Sequence, residues 1–450
     1  MIERLETLFP QCQRREKPAP SPDQLRSLAA GVPSIRAALS EDPRSAALFR
    51  HLDQAARWQR GRLSPGAVSA LYGKKVPMSA SRMDQYQSCH FAYFLRYGLD
   101  ARARRPAGFD APEYGTFVHY VLEHVLRAIQ DQGGAAQVSD EAIQGFATQA
   151  VRDYVHGKLG GMEHQTPRFR YLFRRLEKGV RAVVENVVAE LRSSDFQPLW
   201  FELGFGYGPD KSLPPVNRTS HGITLSISGF VDRVDGWRNE KDGRLYLRVV
   251  DYKTGRKSFD LTEVWNGLGL QLLLYLFTLE REGSPLFGEQ PVPAGVLYLP
   301  AREAVLKGSR TMDEAARQKE LDKELLRKGL ILEDADVVEA MEHGEGSLRF
   351  LPVKVKTKKD ETTISGDALV SAEKLGRLDL HIQTILAQIC QEIARGNIDA
   401  DPFWRSKEQN ACTYCEFAQA CQFEESAEAT GDHRRWAPTV ENKTFWAKLS

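Results

Sequence analysis

The apolar run Leu247-Arg248-Val249-Val250 ends on Asp251-Tyr252-Lys253, and hydrophobic patterning alone gives no reason for it to close on an acid and a lysine. β-Branched residues pack well on a pleated surface, so the run reads as a buried strand that delivers a carboxylate at its end. Lys253, two residues beyond Asp251, points to the same face. Just upstream, Gly-Phe-Val-Asp-Arg-Val-Asp-Gly-Trp at 229–237 reads as a second short strand, carrying Asp232. Two carboxylates suit Mg²⁺, a hard ion that keeps several waters and needs few protein ligands. A lysine beside them can orient an attacking water or neutralise charge growing on a phosphate. Taken alone, Asp-x-Lys more often describes a surface hairpin closed by a salt bridge, because exposed charged residues are common.

The surrounding chain supplies more polar groups at helical spacing. Tyr-Gly-Thr-Phe-Val-His at 114–119 leads into a periodic helix whose apolar side holds Phe117, Val121, Leu122, Val125 and Ile129. His119 lies one turn inside it, after a loop expected at Tyr114-Gly115-Thr116. A lone histidine on a helix is usually a surface or hydrogen-bonded core residue. Downstream, Leu-Gly-Leu-Gln-Leu-Leu-Leu-Tyr at 268–275 opens a second apolar helix, with Gln271 and Tyr275 on one face at i and i+4. A buried Gln needs a polar partner. A bound strand would provide one, and so would a Gln–Tyr hydrogen bond in the core.

In chain order these pieces are G-x-x-x-H, G-x-x-D, D-x-K and Q-x-x-x-Y, carried by Gly115/His119, Gly229/Asp232, Asp251/Lys253 and Gln271/Tyr275. That order resembles the PD-(D/E)XK nuclease superfamily and, within it, the RecB-like branch. The resemblance implies that His119, Asp232 and Asp251 hold Mg²⁺ with the backbone carbonyl of Tyr252. It makes Asp232, Asp251 and Lys253 the catalytic groups and gives Gln271 and Tyr275 a part in positioning DNA. Glu202, in Trp-Phe-Glu-Leu-Gly-Phe-Gly at 200–206, is an accessory acid on this reading. The implied fold is α/β: a restriction-endonuclease-like core with a central mixed β-sheet flanked by helices, plus additional helical segments. The implied activity is Mg²⁺-dependent exonucleolytic hydrolysis of DNA, leaving a 5′-phosphate and a 3′-hydroxyl.

Six cysteines narrow the family: Cys12, Cys89, Cys390, Cys412, Cys415 and Cys421. The last three spell C-x2-C-x5-C, with Cys89 alone at the other end of the core. Thiols so closely spaced, in a chain of cytosolic character, favour metal ligation over disulfides. Four thiolates suit a [4Fe–4S] cluster or a structural zinc; zinc sites more often pair two C-x2-C knuckles, and one is present here. One distant cysteine before a C-terminal triplet resembles the iron–sulfur staple of AddB (RexB) nuclease domains, and the segment Ser-Ala-Ser-Arg-Met-Asp-Gln-Tyr-Gln-Ser-Cys-His at 79–90 agrees. The resemblance implies a [4Fe–4S] cluster on Cys89, Cys412, Cys415 and Cys421, closing a loop of more than three hundred residues. Ligation then becomes folding free energy. His90 is a weak substitute ligand, while Cys12 and Cys390 read as ordinary thiols.

AddB proteins carry a long helicase-like region ahead of the nuclease, and this chain has almost none of it. It also has no G-x-x-x-x-G-K-[ST] phosphate loop, so no ATP hydrolysis is expected from it. The resemblance implies single-stranded DNA ends as substrate, an AddA-type helicase/nuclease subunit as partner, and a role in double-strand break processing for homologous recombination and repair. Two other readings stand beside it: a catalytically silent DNA-binding or scaffold subunit that keeps the cluster, and a structural zinc protein whose acids form only salt bridges. The retained acids and lysine argue against a silent site.

A net charge of +1 does not mark a nucleic-acid binder, so DNA contacts must rest on local patches. Arg-Phe-Arg-Tyr-Leu-Phe-Arg-Arg at 168–175, followed by Lys178 and Arg181, could track a strand by charge and stacking; an amphipathic helix with a solvated basic face describes it at least as well. Arg102, Arg104 and Arg105 form a second patch, and Lys-Val-Lys-Thr-Lys-Lys at 354–359 reads as an exposed hairpin. The N-terminus lacks a signal-peptide core and no apolar run spans a bilayer, so a cytoplasmic protein without membrane contact is expected. The domain reading is a helical remnant or linker at 1–77, the nuclease at 78–430 and a tail at 431–450. Within the nuclease, helices fill 78–195 and strands 199–255. A further strand is expected at Ala-Gly-Val-Leu-Tyr-Leu-Pro, a charged helical excursion from the core at 311–345, and a long helix from about 367 to 395.

Overall fold

Apolar stripes that repeat every three to four residues and runs that alternate or stay apolar assemble, in a computed structural model, into a mixed sheet flanked by helices. The structure describes residues 32–56, 61–102, 111–162, 166–206, 213–304, 306, 312–359, 361–421, 423 and 433–449. Cys12, Arg104 and Arg105 lie outside them. The described residues fall into two compact units, one within Met1–Gly61 and one spanning Arg62–Ser426 and Asp432–Ser450. The first contains α1 (Pro33–Leu39) and α2 (Pro43–Ala56), joined by an Arg36–Asp53 ion pair.

The larger unit opens ahead of residue 78 with α3 (Pro65–Tyr72) and β1 (Lys75–Met78), then α4 (Ala80–Ser88) and the short α5 (His90–Tyr93). Three long helices follow: α6 (Ala111–Asp131), α7 (Asp140–Leu159) and α8 (Pro167–Arg192). α6 buries Phe117, Val118, Val121, Leu122, Val125, Leu126 and Ile129 against α7, α8 and the sheet. It begins before the expected loop, so Tyr114-Gly115-Thr116 is helical; the burial of this stripe overrides the weak helix propensity of Gly and Thr. Ser139 caps α7, which ends on left-handed Gly160, and Thr166 caps α8 with Pro167 in its first turn. The basic run at 168–175 forms the start of α8, and its Arg168 and Arg170 lie outside the core that Phe173 enters.

Strands then dominate: β2 (Gln197–Phe205), β3 (Val216–Ser220), β4 (Ile223–Ile227), β5 (Gly229–Arg238) and β6 (Leu245–Lys253). A crossover of α9 (Leu261–Trp265), α10 (Gln271–Glu282) and α11 (Ser284–Phe287) leads to β7 (Val292–Pro300), which lies parallel to β6. α10 covers β6 and β7 and is buried from Leu272 through Leu279. Next come α12 (Glu314–Leu325), β8 (Lys328–Leu332), α13 (Ala335–Met341), β9 (Gly346–Ser347), β10 (Lys354–Lys358), β11 (Glu361–Ser365), β12 (Leu369–Val370) and α14 (Ala372–Ala394).

The central sheet has the order β12-β8-β7-β6-β5-β2, with β6–β7 and β8–β12 parallel and the other pairs antiparallel. β6 is buried from Leu245 through Tyr252, as an interior strand covered on both faces should be. A small sheet, β1-β4-β3, carries α14 on it, and β10 and β11 form the exposed lysine-rich hairpin. A second expectation is corrected. Residues 311–345 are not an excursion from the core, because β8 lies inside this range and pairs with β7, burying Leu330, Ile331 and Leu332. Its apolar stretch is too short, between charged flanks, to announce itself. No helix among the described residues is long and apolar enough to cross a membrane.

Candidate active site

β5 and β6 pair antiparallel with Arg233 opposite Val250, which sets Asp232 beside Asp251 across the ladder. Side chains alternate along a strand, so these two acids share one face while Arg233, Asp235 and Arg248 share the other. The Tyr252 N–H donates to Asp232 Oδ2 at 2.7 Å, which ties the loose end of one strand to the acid of the other. Lys253 Nζ lies 2.6 Å from Asp251 Oδ2 and 5.4 Å from the centre of the Tyr298 ring. Asp251 is only 4 % exposed.

α6 brings His119 to this strand end. Its Nε2 lies 3.0 Å from the Tyr252 carbonyl, which can only accept, so Nε2 carries a proton. Nδ1 lies 3.5 Å from Asp232 Oδ1. Burial pulls the imidazole pKa down, but Asp232, the Tyr252 carbonyl and Asp251 outweigh it and lift it to about 9. Glu202 joins from β2: ligand atoms of His119, Glu202 and Asp232 all lie within 4.8 Å of one another. Asp251 stands outside that trio, engaged with Lys253.

Glu202 adopts φ +48° in the middle of a strand, a left-handed backbone that a non-glycine residue rarely takes without a reason. Burial and the Asp232 charge push its carboxyl up to about 7. Burial and the same neighbour push Asp251 up to about 6, against the pull of Lys253 and His119. Acids held this close, with Asp251 buried and Asp232 and Glu202 half-buried, repel one another, and a cation among them relieves that cost.

Gln271 is the first residue of α10 and half-buried, whereas Tyr275 is buried with its ring stacked on Phe205 at 4.9 Å. A methyl on Gly229 would sit 2.1 Å from the Tyr275 hydroxyl. The glycine of G-x-x-D therefore makes room for the tyrosine of Q-x-x-x-Y, and the two motifs form one interlocked contact. At Gly115 a methyl would meet Thr254 Oγ1 at 3.7 Å, an ordinary contact, so sterics there do not require glycine. The motifs did not point to Asp84 of α4, which accepts the Gly269 N–H at 2.9 Å and feels the charges of Lys257 and Lys253. Nor did they point to Tyr298. An acid in an amphipathic helix and an aromatic in a strand carry no mark of the tertiary neighbour they meet.

At the other end of the core, Cys89, Cys412, Cys415 and Cys421 line one cavity of about 310 Å³. Phe91, Phe417 and Trp404 supply apolar wall around them. Burial pushes the Cys89 thiol up to about 12, so only a ligand that prefers thiolate would deprotonate it. His90 is turned away, its Nδ1 2.6 Å from Asp401 Oδ2 and its backbone N–H on Asp401 Oδ1. Cys390 sits apart in α14, donating to the Arg218 carbonyl at 3.5 Å.

The chain is similar to the AddB component of the ATP-dependent helicase/deoxyribonuclease of several bacteria. Identity to the Clostridium novyi (strain NT) protein is 31 % over 369 residues, covering 81 % of this chain and 32 % of that one. For the Acetivibrio thermocellus protein it is 32 % over 362 residues, covering 79 % and 31 %. For the Oceanobacillus iheyensis protein it is 31 % over 384 residues, covering 84 % and 32 %. The chain thus spans about a third of the length of the curated relatives it matches. The family model of the PD-(D/E)XK nucleases matches residues 77–422, from β1 through the cysteine triplet and across every motif described above. With that match over most of its length and a mixed sheet carrying the acids and lysine at one strand end, the chain belongs to the PD-(D/E)XK nuclease superfamily.

Proposed function

We propose that this chain is the nuclease module of an AddB-type enzyme, a Mg²⁺-dependent deoxyribonuclease that trims single-stranded DNA ends during double-strand break repair. The observation that carries this reading is the convergence of His119, Glu202 and Asp232 within 4.8 Å, beside the Tyr252 carbonyl and the Asp251–Lys253 pair. The donor set fits a hard divalent cation: carboxylate and carbonyl oxygens with one imidazole. His119, Asp232, Asp251 and the Tyr252 carbonyl would hold it, with Glu202 as a further carboxylate. When bound, Mg²⁺ supplies Lewis-acid polarisation of the phosphodiester and a lowered pKa for water.

The protein's own groups do the rest. Asp251 holds the Lys253 ammonium at the mouth of the site, where it neutralises charge on the non-bridging oxygens as water attacks phosphorus. The bond from phosphorus to the 3′-oxygen breaks, that oxygen takes up the proton that the attacking water gives up, and the phosphate stays as the 5′-phosphate of the fragment on the 3′ side of the cut. Gln271 and Tyr275, on the α10 face nearest Gly229, position the strand. An AddA-type helicase/nuclease subunit in the cytoplasm is the partner.

The four-cysteine cavity supports a [4Fe–4S] staple. The cavity of about 310 Å³ that the four thiols line, with Phe91, Phe417 and Trp404 beside them, has room for a cluster as well as for a lone zinc ion. Visible absorbance of protein purified aerobically separates the two: a broad brown band is expected, and a colourless zinc-loaded protein overturns the cluster. Digestion of end-labelled single- and double-stranded DNA, with and without the partner, tests the nuclease. Mg²⁺-dependent release of nucleotides is expected, abolished by chelator and by Asp251→Ala. An Asp251→Ala protein that cuts at the wild-type rate sinks the assignment.

A further inference from the structure

Beside the catalytic lysine lies a second concentration of charge that the reaction itself does not use. The carboxyl ends of the parallel neighbours β6 and β7 open into a pocket of about 230 Å³, walled by Lys253, Arg256, Lys257, Arg302, Lys328 and Glu324. Open α/β sheets place their ligands at such strand ends. Of its five cations Lys253 answers Asp251 and Lys257 answers Glu263, which leaves Arg256, Arg302 and Lys328 with Glu324 as their one acid. Glu324, near the end of α12, is shared between Arg302 at 2.9 Å and Arg256 at 3.7 Å, while Lys257 pairs with Glu263 at 2.7 Å. Lys328 is exposed at the first position of β8. The Arg302 Nε–H is buried without a hydrogen-bond partner, a donor that a ligand oxygen would satisfy.

A network built for stability would balance its charges, and exposed pairs of this kind are worth little in any case. Here positive charge stands in excess in a concave site, drawn from three separate chain segments. Arginine forks and lysine ammoniums together suit a phosphate rather than a neutral ligand. Lys253 belongs both to this pocket and to the catalytic cluster, so a strand passing from one to the other puts consecutive phosphates against them.

We infer that this pocket binds a backbone phosphate of the DNA strand being cut, neighbouring the scissile one, so that Arg256, Arg302 and Lys328 set the register in which the strand meets Lys253. The inference rests on the nuclease reading. Glu324 is the resident acid that a phosphate must compete with, so its removal strengthens binding while removal of the cations weakens it.

The experiment is equilibrium binding of a fluorescent single-stranded oligonucleotide by the full chain in chelator, where no cutting occurs, across a salt series. The paired substitution Arg256→Ala with Lys328→Ala is expected to weaken binding about 10-fold and to flatten the slope of log K against log salt by about one. Glu324→Gln is expected to tighten binding several-fold. Unchanged affinity and slope in the paired variant, or weaker binding by Glu324→Gln, overturns the inference. The loss should be the same for 5′-hydroxyl and 5′-phosphate oligonucleotides; a loss confined to the 5′-phosphate form overturns the assignment to a backbone phosphate. Because binding is read without Mg²⁺, a chain that shows these shifts yet never cuts DNA sinks the nuclease reading and leaves the pocket standing. One that cuts DNA without these shifts does the reverse.

Discussion

β5 and β6 carry two clusters of charge on opposite faces, and the two are built by opposite rules. On one face Arg233 grips Asp235 through two hydrogen bonds of 2.7 and 2.9 Å, and Arg248 donates to the same carboxylate at 2.8 Å. Glu190 of α8 takes two more from Arg327, at 3.0 and 2.7 Å, and lies 3.4 Å from Arg248. All five side chains are at most 1 % exposed. On the other face Asp232, Asp251 and Glu202 crowd together with one lysine and one histidine, partly open to solvent. The buried cluster sets three arginines against two acids, nearly balanced in charge, although Arg248 Nη1 and Nη2 and Glu190 Oε1 make no hydrogen bond. The open one concentrates like charge and leaves it to be matched from outside. One pair of strands thus separates a structural use of charge from the chemical one that the proposed nuclease would make.

The strongest way to break this contrast is to remove one acid from each face. Asp232→Ala is expected to lower DNA cleavage at least about 10³-fold while leaving the melting temperature within a few degrees of wild type. End-labelled digestion and calorimetry on the same preparation check it, and a stability collapse would erase the distinction. Arg248→Ala should do the opposite, costing roughly 3–5 kcal/mol because Asp235 and Glu190 lose a buried partner. Urea unfolding reads that loss, and cleavage per folded molecule should change little.

The pH dependence of stability sharpens the contrast, because the two faces carry opposite signs. Burial works against the Glu190 carboxylate, but Arg327, Arg248 and Arg233 hold its pKa at about 2, below the ordinary 4.5. Its contribution is complete above about pH 4.5 and fades as pH falls through about 2. Glu202 is raised from 4.5 to about 7, so in chelator its contribution is complete below about 4.5 and fades as pH rises through about 7. His119, raised from 6.5 to about 9, fades the same way over the higher window. Urea midpoints from pH 2 to 9 should show both flanks; Glu190→Gln should flatten the acid flank and Glu202→Gln the neutral one. A Glu202→Gln protein with an unaltered neutral flank would remove this account.

The smallest effect concerns the contact that links the open face to α10. Gly229→Ala should cost roughly 1–3 kcal/mol through overpacking against the Tyr275 hydroxyl. Adding Tyr275→Phe should recover part of it, and strictly additive losses in the double-mutant cycle would mean that the two do not touch.

Much of the open face was legible in the sequence because its parts break local rules. A β-branched run that stops on Asp-Tyr-Lys and a histidine inside an apolar stripe each stand out against their surroundings, as the Cys triplet does away from that face. The buried face was silent: Arg248 sits within an apolar run and gives no sign that it is fully covered and shared by two acids. Glu202 was visible as an acid in a strand, but its left-handed backbone and its approach to His119 depend on neighbours far away in the chain. β8 escaped because four apolar residues between charges cannot outweigh the helical pattern on either side. The basic pocket escaped for a related reason, since Arg256, Arg302 and Lys328 meet only when β6, β7 and β8 are already paired.

The four-thiol cavity imposes a schedule on synthesis. Its first wall, Cys89, leaves the ribosome more than three hundred residues before Cys421, a lag of roughly 20 to 60 seconds at ordinary elongation rates. Throughout that interval every strand of the central sheet emerges while the chamber still lacks its far side, so the apolar shelf around Phe91 and Ala92 faces water. The nascent chain therefore carries an open, apolar half-chamber until Cys412, Cys415 and Cys421 emerge to complete its lining.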